Sequence, residues 1–344
     1  MNTKATMNIK ETMNTKKTKK TKKTMDTILR TALALTISLV TTTVTAQSWP
    51  AKPIRVIVPN APGASPDLVT RLATERLSRL LNTPFVVENN TAGSGVVAAQ
   101  SVSRAAPDGY SWLVGTITSL AINPNLMQSL PYRPEDFVGA AMIYDTGSQV
   151  VAVHPDVPAK TLAEFFALAK AQPGKLSYAA DRGLASILGE WMHKTAGVQI
   201  ALIPYKVPSQ SLSDTAGGRL QEIIISIPLI DNLRKAGKLR VLAVSSAKRF
   251  PLLPEVPTVG ETLPGFVASG WSALVAPAGT PPEILIRLNR ATDQVVREAE
   301  YQQRLLAFGL TVEGAGTLEW IGAWIKSERE KWGKIIRDTG IKPE

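Results

Sequence analysis

Cysteine is absent from this chain, which excludes disulfide staples, thiol nucleophiles and thiolate-held metals. Histidine occurs only twice, as His154 and His193, with no carboxylate at ligand spacing, so a metal centre is not expected. Also missing are the GxSxG, HExxH and Walker patterns, which leaves no nucleophile–base pair to carry an enzyme reading. No cofactor is expected. Long apolar runs are lacking too. The one short run, Thr31–Val40, is about half of what a bilayer span requires.

The positive charge is unevenly spread. Of the net +11, residues 1–24 supply +7 through eight lysines and one glutamate, and residues 25–46 cancel, so the remainder carries +4. A body so weakly basic favours anionic ligands and does not point to nucleic acid. Residues 1–24 are Lys/Thr/Met/Asn low-complexity sequence that cannot bury enough apolar surface to order itself. They read either as an extended basic n-region or as sequence upstream of a start at Met25. Arg30 and the lysines before it, the run TALALTISLV, and the small residues Val44-Thr45-Ala46 make an export signal cleaved after Ala46. The mature protein is expected outside the cytoplasm.

After that point strands and helices alternate. Ile54–Val58 is a strand, followed by the loop NAPGAS and a helix over Pro66–Leu81, with Ser65 suited to the N-cap and Asp67 to the positive helix end. Phe85–Asn89, Trp112–Gly115, Val150–Val153, Ser177–Ala180, Ile223–Ser226, Leu239–Ser245 and Trp271–Ala276 read as strands. Gly93–Ala106, Leu162–Ala171, Leu184–Ala196 and Leu229–Ala236 read as helices, and Pro281–Phe308 with Leu318–Thr339 as wholly helical. The pattern argues for α/β layers with largely parallel sheets. With no structureless linker, two lobes joined by crossing strands fit best: residues 47–149 plus 270–344 as domain one, and 150–269 as domain two.

The NAPGAS loop is the best local candidate for a site. Its backbone N–H groups are free and it feeds a helix N-terminus, a natural anion position, although an ordinary strand-to-helix turn would look the same. The GxGxxA pattern at Gly93 lacks the acidic residue that a dinucleotide site needs, and reads as a close-packing turn. Arg182 could grip a carboxylate bidentately or pair with Asp181. Tyr205 and Lys206 could donate to a ligand or decorate a surface, and Trp271 could sit in the core or face a cleft.

Several strings in order carry a resemblance: WPAKPIRVIVP from Trp49, RAAPDGY from Arg104, AINP from Ala121, PYK from Pro204, AGKLR from Ala236, PEVPTV from Pro254 and LVAPAGTP from Leu274. From Trp49 onward the chain resembles the Bug family of periplasmic receptors, the solute-binding components of tripartite tricarboxylate transporters. The resemblance implies a two-lobed, periplasmic-binding-protein-like (Venus flytrap) fold that holds a small organic acid or amino acid between the lobes. It implies delivery to membrane transporter subunits, or to a sensor, by a monomer. The ligand-binding residues expected on this basis are Asn60, Gly63, Ala64, Ser65, Asp67, Thr116, Ser119, Asp181, Arg182, Ala185, Tyr205 and Lys206. The family pattern is not matched everywhere. Asn60 stands where the family carries an aromatic, Ala64 replaces a glycine, and Arg182 adds a charge, which raises the expectation of a ligand with two anionic ends.

Overall fold

The computed structural model describes residues 49–341 except 182, 183 and 206, and nothing is said of the side chain of Asp181. The expected export signal therefore lies outside the described residues.

Among the described residues ten strands form one sheet, eight of them on a continuous path. They are β1 (Ile54–Val58), β2 (Phe85–Asn89), β3 (Ser111–Thr116), β4 (Phe137–Val153), β5 (Leu176–Asp181), β6 (Ile200–Tyr205), β7 (Glu222–Ser226), β8 (Arg240–Val244), β9 (Ser269–Pro277) and β10 (Leu310–Thr311). The order is β2-β1-β3-β9-β4-β7-β5-β6, with β8 and β10 also on β4. The outer pairs are parallel, as βαβ crossovers require, but β9 and β4 run antiparallel to their neighbours. The sheets are thus mixed rather than largely parallel.

The joint between the lobes is β4 itself, 17 residues long. Up to Ser148 it pairs with β9 (Ser148 opposite Ser269), and from Gln149 onward with β7 (Gln149 opposite Ser226). The register on β9 slips three times, the last between Tyr144 and Gly147, and these irregularities let one strand serve two sheets twisted apart. Only Val150–Val153 of this strand is expected from the sequence; Asp145–Ser148 have turn composition, and the bulges carry the strand through them. At the handover Gln149 N donates to Ser245 Oγ at 2.9 Å, and Ser148 Oγ lies 3.0 Å from Ser246 Oγ.

The helices cover both faces. The Ser65–Leu81 and Pro282–Val296 helices pack on the first sheet over Val56, Val58, Val69, Leu77, Trp112 and Leu288, all fully buried. Leu318–Thr339 closes the opposite face, where Trp271 and Trp332 are inaccessible and both indole N–H groups donate to Glu328 Oε2, at 3.1 and 3.2 Å. Trp271 is therefore core and not cleft. In the second lobe Leu184–Ala196 lies on β5 and β7, with His193 beside the buried Glu222 at 2.9 Å and edge-on to Tyr178.

Other expectations shift. The first helix is capped by Ala64, not Ser65, which is already helical and makes no capping bond. The Gly93 helix begins only at Val96, because Gly93, Ser94 and Gly95 all have positive φ. A Cβ on Gly95 would lie 2.6 Å from Pro59 Cβ, so this turn brings the helix close to the end of β1. The Pro281–Phe308 stretch breaks after Val296, resumes at Ala299, and is followed by β10. Strand β6 and the Pro208–Ala216 helix were not expected; the prolines at 204 and 208 disguise both. Among the described residues no helix is long and apolar enough to cross a membrane.

Candidate functional site

A cavity of about 810 Å³ opens where the two sheets meet at β4. Helix starts converge on it from both lobes. Ala64 and Ser65 open Ser65–Leu81, Leu184 opens Leu184–Ala196, Pro208 opens Pro208–Ala216, and Ser226 caps Ile227–Lys235; all five residues line the cavity. Each start brings the positive end of a helix dipole, although Pro66, Pro208 and Pro228 remove one first-turn N–H group from three of them. Three of the four helices have no acidic residue in the first turn to neutralise that potential. The lining among the described residues contains no Asp, Glu, Lys, Arg or His.

The first wall is the loop after β1. Its shape is set from behind by Asp67, whose carboxylate is 2% exposed and accepts from Gly63 N at 2.8 Å, Arg71 Nε at 3.0 Å and Asn89 Nδ2 at 2.8 Å. Asn89 also donates to Asn60 O at 3.0 Å, and Arg71 donates to Asn89 Oδ1 at 2.9 Å. Both ends of the loop are thereby tied to the end of β2 and the first helical turn. Burial pushes the Asp67 carboxyl up, but the hydrogen bonds from Arg71, Gly63 and Asn89 outweigh it and hold the group below the ordinary aspartate range.

A second wall begins at the end of β3. Thr116 N donates to Ser119 Oγ at 3.0 Å and Ser119 N to Thr116 Oγ1 at 3.2 Å, a reciprocal clasp that turns the chain into the short π-helical segment Thr118–Ile122. Thr116, Ile117 and Thr118 line the cavity. Tyr144 of β4 lines it too, and burial pushes its hydroxyl up to about 12, so it faces the cavity as a neutral phenol.

Of the residues expected at the ligand, Asn60, Gly63, Ala64, Ser65, Thr116, Ala185 and Tyr205 lie together on this lining. Asp67 and Ser119 do not. Both are buried behind the wall, their polar atoms engaged in holding the loop and the turn, so they act on the cavity through its backbone. The Tyr205 hydroxyl donates to Asp214 Oδ2 at 2.7 Å, and Asp214 in turn pairs with Arg219, which leaves the ring and not the proton to the cavity. Arg182 and Lys206 lie outside the described residues, as does the side chain of Asp181.

Sequence reasoning missed Tyr144 and Gly147–Gln149 of β4, Ser226, Pro228 and Leu229 after β7, Gly270 and Phe308–Leu310 on the same lining. Only Ser226-Ile227-Pro228 carried a signal, a proline at a helix start directly after a strand. No cluster of three or more potential metal ligands occurs among the described residues.

Residues 69–341 match the family model of the tripartite tricarboxylate transporter family receptor. Protein BugT of Bordetella pertussis is 34% identical over 304 residues, covering 87% of this chain and 93% of the relative. Among solved structures, an R. palustris protein with adipate superposes with a TM-score of 0.76 at 29% identity, over 86% of this chain and 100% of that one. MatC from Rhodopseudomonas palustris with bound malate gives 0.71 at 26% identity, over 84% and 100%. With a cleft built at the junction of two α/β lobes and these relatives spanning nearly its whole described length, the chain belongs to the tripartite tricarboxylate transporter family of periplasmic solute-binding receptors.

Proposed function

We propose that this receptor captures a small organic acid in the cavity at the β4 junction and holds the carboxylate mainly with backbone N–H groups. One observation carries the reading: four helix starts from two lobes converge on a single cavity whose described lining bears no charged side chain. Partial charges of helix ends, fixed in place and partly desolvated, attract an anion without a competing counter-ion. The contacts we assign are Asn60, Gly63, Ala64 and Ser65 on the first loop, Thr116 after β3, and Ala185 and Tyr205 from the second lobe. Adipate and malate in the structural relatives are acids of this general kind.

We place the lobe boundaries at 149/150 and 269/270. The switch of β4 from β9 to β7 at Ser148–Gln149 supports that division. In this reading a ligand bridging the two lobes favours a closed arrangement, which the membrane subunits recognise. The protein works as a monomer, is exported with cleavage after Ala46, and releases its ligand chemically unchanged.

The test is native mass spectrometry of the protein beginning at Gln47, followed by thermal shifts with a panel of carboxylates. A co-purified acid, or a shift consistent with about 2.7 kcal/mol at a hundredfold excess over Kd, is the expected result. An empty cleft with no shift from any carboxylate would refute the assignment.

A further inference from the structure

At the cavity end of the first-lobe sheet, three hydroxyl residues stand in one row across β3, β9 and β4. Ser272 is opposite Thr116 on one side and opposite Tyr144 on the other. Thr116 and Tyr144 line the cavity. The three hydroxyls are not equivalent. Thr116 Oγ1 is committed, since it accepts from Ser119 N at 3.2 Å. Ser272 Oγ is fully buried and has no hydrogen-bond partner among the described residues. The Tyr144 hydroxyl lies near it, and among the described residues it bonds to no backbone group and to no other side chain. Tyr144 is only 5% exposed. Buried hydroxyls nearly always find a partner, in the protein, in ordered water or in a ligand. Tyr205, the other tyrosine on the described lining, has its partner already, because its proton is held by Asp214 at 2.7 Å.

We infer that Tyr144 is a ligand contact: its phenolic O–H donates to an oxygen of the bound acid, and Ser272 donates from behind to the phenolic oxygen. This rests on the reading of the cavity as a carboxylate site and deepens it, by adding one side-chain donor to the backbone groups of the helix starts. The proton is available. Burial pushes the Tyr144 hydroxyl up to about 12, so near neutral pH it is a donor and not an anion that would repel an acid. Ser272 acts as a positioning residue, since its own proton on the phenolic oxygen leaves that of the phenol for the ligand. The place in the fold adds a consequence. Tyr144 lies between two register slips of β4 against β9, a few residues before the strand passes to the second lobe at Gln149. A hydrogen bond made here ties the ligand directly to the segment that both lobes share.

The experiment is isothermal titration of the mature protein with succinate, malate, glutamate, adipate, hexanoate and benzoate, the tightest binder then being carried to the variants. Tyr144→Phe removes the hydroxyl and keeps the ring. It should weaken that acid about tenfold or more, the worth of one hydrogen bond to a charged group. The Tm of the ligand-free protein should stay unchanged or rise slightly, because no hydrogen bond to the backbone is lost. Ser272→Ala should weaken the same acid about threefold in the wild-type background and have no effect on affinity in the Tyr144→Phe background. Tyr144→Phe binding as tightly as wild type would overturn the Tyr144 assignment and leave the carboxylate reading standing. Equal losses from Ser272→Ala in both backgrounds would overturn the positioning role. If none of the six acids binds the wild-type protein, the inference and the reading beneath it both fall.

Discussion

Replacing Asp67 with asparagine isolates the network that holds the cavity loop. The change is nearly isosteric, yet both carboxylate oxygens are in use: Oδ2 accepts from Gly63 N, and Oδ1 from Arg71 Nε and Asn89 Nδ2. An amide has one acceptor oxygen. If its nitrogen takes the Oδ1 place it faces two donors, so the less costly orientation puts it against Gly63 N–H and breaks the tie to the loop. One charge-assisted hydrogen bond is then lost and the pair with Arg71 loses its charge, about 2–4 kcal/mol together. For a protein of this size that lowers Tm by roughly 4–8 °C. The same change should speed hydrogen exchange at the Gly63 amide and weaken binding of any acid that uses the loop. The pH dependence has a definite sign. The folded Asp67 carboxyl is held below its ordinary value, so its contribution is present above about pH 4 and is lost as pH falls through the depressed value. Wild type and Asp67→Asn should therefore differ constantly from pH 5 upward and converge in acid. An unchanged Tm at pH 7 together with unchanged exchange at Gly63 would refute the argument that Asp67 shapes the site.

Further substitutions test the framework. Glu328→Ala leaves the buried indole N–H groups of Trp271 and Trp332 without an acceptor, and should cost about 2–4 kcal/mol in urea unfolding; Glu328→Gln, which keeps an oxygen, should cost less. His193→Leu strands Glu222, which is 0% exposed, at a cost of about 3–5 kcal/mol, whereas the His193→Leu/Glu222→Leu double variant should recover most of it in the same assay. Gly95→Ala forces a side chain into φ +84° and to within 2.6 Å of Pro59 Cβ, and should lower stability by about 2–4 kcal/mol; Gly93→Ala, whose nearest neighbour would be 3.6 Å away, should cost only about 1 kcal/mol by calorimetry.

Elements whose periodicity and caps agree are visible in the sequence. Phe85–Asn89, Leu162–Ala171, Leu184–Ala196 and Leu318–Thr339 occur with the expected bounds, since local propensity and burial point the same way at each. Errors gather where tertiary contacts override local signals. The Asp145–Ser148 stretch has turn composition, but β9 on one side and β10 on the other supply its backbone partners, Leu310 facing Gly147 and Thr311 facing Thr146. Strand β6 holds Pro204, whose missing N–H is tolerated because β6 is an edge strand paired only with β5. Neither compensation can be read from neighbouring residues.

The site was legible in a different measure, and the reason is physical. The NAPGAS loop could be found because a strand, a glycine-containing turn and a helix start lie in one continuous stretch. The other helix starts, at Leu184, Pro208 and Ile227, are each ordinary in isolation and become a site only when the sheet order sets β5, β6 and β7 side by side. Among the described residues the wall bears no charged side chain, so the cavity offers no charged motif to search for there. The expected polar contacts show the same displacement: Asp67 and Ser119 carry the chemistry that fixes the loop and the turn, while the surfaces they fix are glycine, alanine and threonine. Side chains flanking such backbone sites are free to vary without disturbing the anion position.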